Sequence, residues 1–106
     1  MKLLYCRACK DMRRVLPGQR IACECGLSAC RMTFDADRHK TMVVCQGKPA
    51  LLLALDTRNF GKAMAELPKG FTRRLFTRVM DPQDPAHTHV HLVDDIDEYP
   101  DIPRND

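Results

Sequence analysis

Cys6-Arg7-Ala8-Cys9, followed after a short basic stretch by Cys23-Glu24-Cys25-Gly26, places two close pairs of thiols at the head of this chain. Zinc takes four soft or borderline ligands in a tetrahedron, at about 2.3 Å for sulfur, and each close pair lets one loop supply two of them. The two-residue spacer of the first pair is the usual knuckle; the one-residue spacer of the second is tighter. Gly26 suits the second knuckle, where the backbone must turn amides toward sulfur and a residue without Cβ fits easily. Pro17-Gly18 turns the chain between the pairs. The expectation is one structural Zn2+ per chain, held by Cys6, Cys9, Cys23 and Cys25. The competing readings are free buried thiols or a redox Cys-x-x-Cys, whose thiolate Arg7, Lys10, Arg13 and Arg14 would favour. Against the latter, Cys6 to Cys9 does not open a helix of a βαβ unit.

The rest of the composition bounds the answer. A chain of 106 residues makes one domain with a modest core, and a structural metal adds roughly 10–16 kcal/mol of apparent binding free energy coupled to folding. No apolar run of about 20 residues exists, so no membrane partner is expected. Met1 to Cys6 has too few apolar residues before Arg7 for a signal peptide. Clustered cysteines without such a signal point to a reducing cytoplasm. The net charge of +3 conceals an asymmetry: residues 1–80 hold 16 Lys/Arg against 6 Asp/Glu, and residues 81–106 hold one against 8. A basic body fits an anionic partner, and the acidic end can screen that surface, fold across it, or remain a disordered tail.

Leu3 to Tyr5 and Arg20 to Cys23 read as short strands leading into the knuckles. Cys30 to Asp35 alternates, with Cys30, Met32 and Phe34 on one face, and pairs through an Ala36–His39 loop with a strand from Thr41 to Gln46. That register makes Cys30 and Cys45 face each other as buried thiols; a second metal site or a redox pair is the alternative. Gly47-Lys48-Pro49 breaks the strand, and Ala50 to Leu55 is apolar on both faces, as a central strand would be. Asp56 to Asn59 supply cap-type residues before a helix from about Phe60 to Leu67, stopped by Pro68. Phe71 to Met80 is extended, and His87 to Val93 alternates as a further strand. The packed domain is expected to span 1–93, with 94–106 an acidic, flexible tail.

Two further groups carry possible chemistry. On a strand, His87, His89 and His91 project from one face, so neighbouring pairs can share a metal with His39, Asp81 or Asp84 completing the site. His87 and His91 stand roughly 13 Å apart along a strand, too far to share one ion. The plainer reading is a polar edge-strand face. Phe71 to Arg78 interleaves Arg73, Arg74 and Arg78 with apolar residues, which suits phosphate contact and base stacking or an ordinary amphipathic strand. Six aromatics without Trp is a thin supply for stacking. There is no Gly-rich phosphate loop, no His-Glu-x-x-His and no Gly-x-Ser-x-Gly elbow, and Ser28 is the lone serine. No catalytic residue is assigned.

The knuckles Cys6-x-x-Cys9 and Cys23-x-Cys25-Gly26 resemble the zinc-ribbon class. With the Pro49 to Leu67 stretch, including Asn59-Phe60 and Ala63, residues 1–80 also resemble a group of small uncharacterised bacterial and phage proteins. The resemblance implies zinc and a bacterial or phage setting, in which a regulatory or counter-defence factor would fit; the group brings no established activity. Zinc ribbons serve more often as binding modules for nucleic acid or protein than as catalysts. The expected fold is α+β, an N-terminal zinc ribbon packed on a small antiparallel sheet with one helix. The expected function is a zinc-stabilised binding module, with Arg13, Arg14, Arg73, Arg74 and Arg78 as candidate contacts. The rival is a metal-dependent hydrolase or nuclease using His87, His89 and His91.

Overall fold

The structure, a computed structural model, describes residues 1–35, 37, 39–66, 77–100 and 102. Among these, eight strands form two four-stranded sheets, and one α-helix follows the sixth strand. The strands are β1 (Lys2–Cys6), β2 (Met12–Arg14), β3 (Ile21–Ala22), β4 (Ala29–Asp35), β5 (Lys40–Gln46), β6 (Ala50–Leu55), β7 (Thr77–Met80) and β8 (Val90–Leu92). The first sheet runs β2-β1-β6-β7 and the second β3-β4-β5-β8. All pairings are antiparallel except β5 with β8.

The fold is the expected α+β one, with the cysteine cluster in its N-terminal stretch. The strands of that stretch are built into both sheets: β1 pairs with β2 and β6, and β3 edges the second sheet. The reason is the apolar run Ala50 to Leu55, which as a central strand needs partners on both edges and takes β1 and β7.

Alternation then lays out the core. Leu4, Leu52 and Met80 occupy one cross-strand row of the first sheet and so share its inner face. They join Cys30, Val43, Cys45 and Val90 of the second sheet in one buried cluster. The other face of the second sheet is also covered. Val44 and Ala29 pack there with Ile96, which is fully buried in a 3-10 turn at Ile96–Glu98. Arg31 holds this turn, donating from Nη1 to the carbonyls of Ile96 (3.3 Å) and Tyr99 (2.9 Å), and Gln46 Oε1 accepts from the Ile96 amide at 3.1 Å. Asp97 lies 3.4 Å from Arg20 and 3.6 Å from Arg31. Opposite charge and one isoleucine thus carry the acidic segment across the basic body, and packing continues past Val93 through Tyr99.

Other local differences have simple causes. The helix α1 spans Thr57–Glu66 and begins before Phe60, because Asp56 is the cap: its Oδ1 accepts the Asn59 amide at 3.0 Å. The stop at Pro68 lies outside the described residues, as does most of Phe71 to Met80. Phe34 shares the inner face with Met32 but sits toward the hairpin end, where it is 54% exposed. The strand expected over His87 to Val93 is shorter, since residues 87–89 belong to the turns before β8. No helix among the described residues is long and apolar enough to cross a membrane.

Candidate metal centre

Two tight turns bring the four cysteines together. In the first, the Lys10 amide donates to the Cys6 carbonyl at 2.8 Å, with Lys10 at φ 62°. In the second, the Gly26 amide donates to the Cys23 carbonyl at 3.1 Å, with Gly26 at φ 77°. Both turns place a left-handed residue directly after the second cysteine of the pair, a conformation glycine adopts freely and lysine only at a cost. The knuckles are then tied to each other and to the sheets. The Asp11 carbonyl accepts from the Cys6 amide at 3.0 Å. The Asp11 carboxylate accepts from the Glu24 amide at 2.9 Å and from Arg13 Nε at 2.7 Å. Arg13 holds that carboxyl below the ordinary carboxylate range, and the Glu24 amide assists against partial burial. Arg7 binds the β5–β6 turn, its Nη2 donating to the Lys48 carbonyl at 2.6 Å and its amide to the Pro49 carbonyl at 2.9 Å.

All four sulfurs lie within 4.8 Å of one another. Cys6 Sγ is 3.8 Å from Cys25 Sγ, which is 3.5 Å from Cys23 Sγ. Metal–sulfur bonds of about 2.3 Å in a tetrahedron put sulfurs about 3.8 Å apart, so these separations suit one shared ion. Cys6 and Cys23 are buried, Cys9 is half-buried and Cys25 is exposed.

Protonation tells the same story. Burial pulls the Cys6 thiol up, but Ser28, the backbone of Cys9 and Ala8, and Cys23 outweigh it and bring it to about 6. Cys25 moves the other way, to about 12. The Leu27 amide favours its thiolate, but burial and the neighbouring Cys23, Cys9 and Cys6 prevail. Four thiols crowded this closely cannot all ionise without a cation between them. The surroundings also fit one. The Ser28 amide donates to Cys23 Sγ at 3.3 Å, and the buried Ser28 hydroxyl has no hydrogen-bond partner within ordinary limits, although it lies near enough to Cys6 to favour the thiolate. A metal-bound thiolate is the acceptor that this hydroxyl lacks. The place of Ser28 two residues beyond Gly26, beside the second knuckle, is the local signal for such a contact. The four cysteines can hold a metal ion.

The remaining candidates are dispersed. Arg13 and Arg14 lie on β2 and Arg78 on β7, at opposite edges of the first sheet. Arg73 and Arg74 lie outside the described residues. The cysteines form the one group of three or more metal-ligating side chains gathered within reach among the described residues. His87 accepts the Asp81 amide at Nδ1, 2.9 Å away, with Asp84 4.0 Å from Nε2. His89 is exposed, and its pKa is held low first by Lys40, then by partial burial, Lys2 and Arg78. Those cations oppose a metal cation at the same place. His91 lies on β8, level with Val44.

Cys30 and Cys45 face each other across β4 and β5 and are fully buried. Burial pushes the Cys30 thiol up to about 12 and Cys45 higher still.

No family model, curated protein or solved structure matches this chain.

Proposed function

We propose that this protein is a zinc-stabilised binding module of the reducing cytoplasm that contacts an anionic partner, with nucleic acid ahead of an acidic protein. The observation that carries the reading is the set of four sulfurs gathered within 4.8 Å of one another. All-thiolate donors favour zinc among common ions, and four protein ligands leave no coordination position for substrate, which is the mark of a structural site. Thiolate ligation also requires reduced cysteines. The preference for an anionic partner rests on the excess of Lys and Arg in residues 1–80.

Metal stoichiometry by mass spectrometry on untagged protein tests the first part. One tightly held zinc, lost together with folding in Cys23→Ser, is expected. A second equivalent removed by substituting His87, His89 and His91 would instead favour the hydrolase reading. For the partner, binding to a single-stranded oligonucleotide should weaken steeply between low and physiological salt. A flat salt dependence, or no binding, removes nucleic acid.

A further inference from the structure

The two ends of the sandwich differ. Cys6 closes β1 beside the metal centre, whereas Lys2 opens it about 13 Å away at the other end. At that far end a cavity of about 260 Å³ is lined by Lys2, Ala54, Arg78, Met80 and His89. Three of these side chains carry or can carry positive charge, and among the described residues none forms an ion pair with a carboxylate. They come from β1, β7 and the turn before β8, so only folding brings them together. Lys2 is half-buried, and burial lowers its pKa. Clustered cations repel one another, Arg78 and His89 at the surface and Lys2 partly desolvated, and an anion among them relieves that repulsion.

The space exceeds what a bare ion needs. An adjoining cavity of about 360 Å³ shares Ala54 and Arg78 and adds Leu55, Asp56 and Thr77. On the facing sheet, Lys40 acts on His89 from this same end, and exposed Phe34 pairs with Thr41, the neighbour of Lys40. Cations over an apolar floor, with an exposed aromatic at the same end, match a phosphate joined to a base.

We propose that the cavity lined by Lys2, Arg78 and His89 is an anion site that takes the phosphate group of a nucleotide, free or within a single strand. The site is independent of the metal reading, since it uses no knuckle residue, and metal content and phosphate binding are measured separately.

The test is calorimetric titration of the metal-loaded full chain with AMP and, separately, with an eight-residue oligothymidylate. At least one should bind, and Lys2→Gln and Arg78→Gln should each weaken it by about 10-fold or more, as loss of a charge-assisted contact does. Tighter AMP assigns a free nucleotide; tighter oligothymidylate, displaced by AMP, assigns a strand. His89 supplies a second readout. Followed by NMR in the presence of Lys2, Lys40 and Arg78, its titration should move to higher pH when the ligand is added, because a bound anion favours imidazolium. Arg78 is exposed, so its variant should keep the fold and metal content of the parent. Absence of binding by both ligands, binding unchanged in Arg78→Gln, or an unmoved His89 titration would overturn the proposal.

Discussion

Gly47 lies against Leu27 so closely, at φ 101°, that a Cβ on residue 47 would overlap the Leu27 carbonyl oxygen. This contact presses the β5–β6 turn onto the loop after the second knuckle, and so couples the sheets to the cysteines. Backbone cannot swing aside as a flexible side chain would. Gly47→Ala is therefore expected to cost more than about 2 kcal/mol, from positive φ and overlap together. Gly26 has nothing within 4 Å of its would-be Cβ, so Gly26→Ala should cost only about 1 kcal/mol. Urea midpoints of the two variants check the ordering; equal midpoints would refute it.

Removing the metal should unfold the whole domain, since the strands that carry the cysteines pair within both sheets. Cys6→Ser or Cys23→Ser, or a strong chelator, is expected to abolish cooperative unfolding, since the apparent binding free energy of a four-cysteine zinc site, about 10–16 kcal/mol, exceeds what a domain of this size can lose. Ser28→Ala should leave the fold intact yet weaken metal affinity by about 10-fold, as loss of an outer partner of a ligand does. Competition with a chromophoric chelator measures it, and unchanged affinity would mean that the hydroxyl does not serve Cys6.

Cys30 and Cys45 should resist alkylation in the native protein near neutral pH and react fully once it is unfolded, because burial keeps both thiols protonated. The sign of the pH effect follows. A folded thiol raised above its unfolded value of about 9 contributes stability that is complete below that pH. It is lost as the unfolded chain ionises between about pH 9 and 12. Stability should thus fall with alkali over that window, and fall less in a Cys30→Ala/Cys45→Ala variant. Peptide mapping after iodoacetamide treatment and denaturant midpoints against pH provide the readings.

Ile96→Ala should cost about 2–4 kcal/mol, the usual range for emptying a well-packed aliphatic site. A segment detached from the body would give no change. Arg31→Gln, which weakens the hold on Ile96 and Tyr99, should raise proteolytic cleavage near residues 94–99 more than it lowers the melting temperature.

Much of this protein is written locally. Cysteine spacing picks out the four side chains that can hold a metal ion, because a knuckle is a turn of a few residues and its geometry is nearly complete within them. Alternation marked β4, β5 and the Cys30–Cys45 register, since a hairpin pairs neighbours in sequence and a side chain's face follows from its parity. The Asp56 cap is visible too, although the helix begins at Thr57, three residues ahead of Phe60.

What tertiary structure alone decided is whatever depends on distant segments meeting. Nothing local in Ala50 to Leu55 says that β1 and β7 flank it, or that β8 lies parallel to β5. Composition marked the end of the chain as acidic, but only the cover that Ile96 gives Val44 makes part of it core. The orphaned Ser28 hydroxyl, the Gly47–Leu27 contact and the gathering of Lys2, Arg78 and His89 are likewise products of packing. Hydrogen-bond patterns within a turn are set by adjacent residues; burial and electrostatic fields are set by everything nearby in space, and a one-dimensional pattern does not carry that.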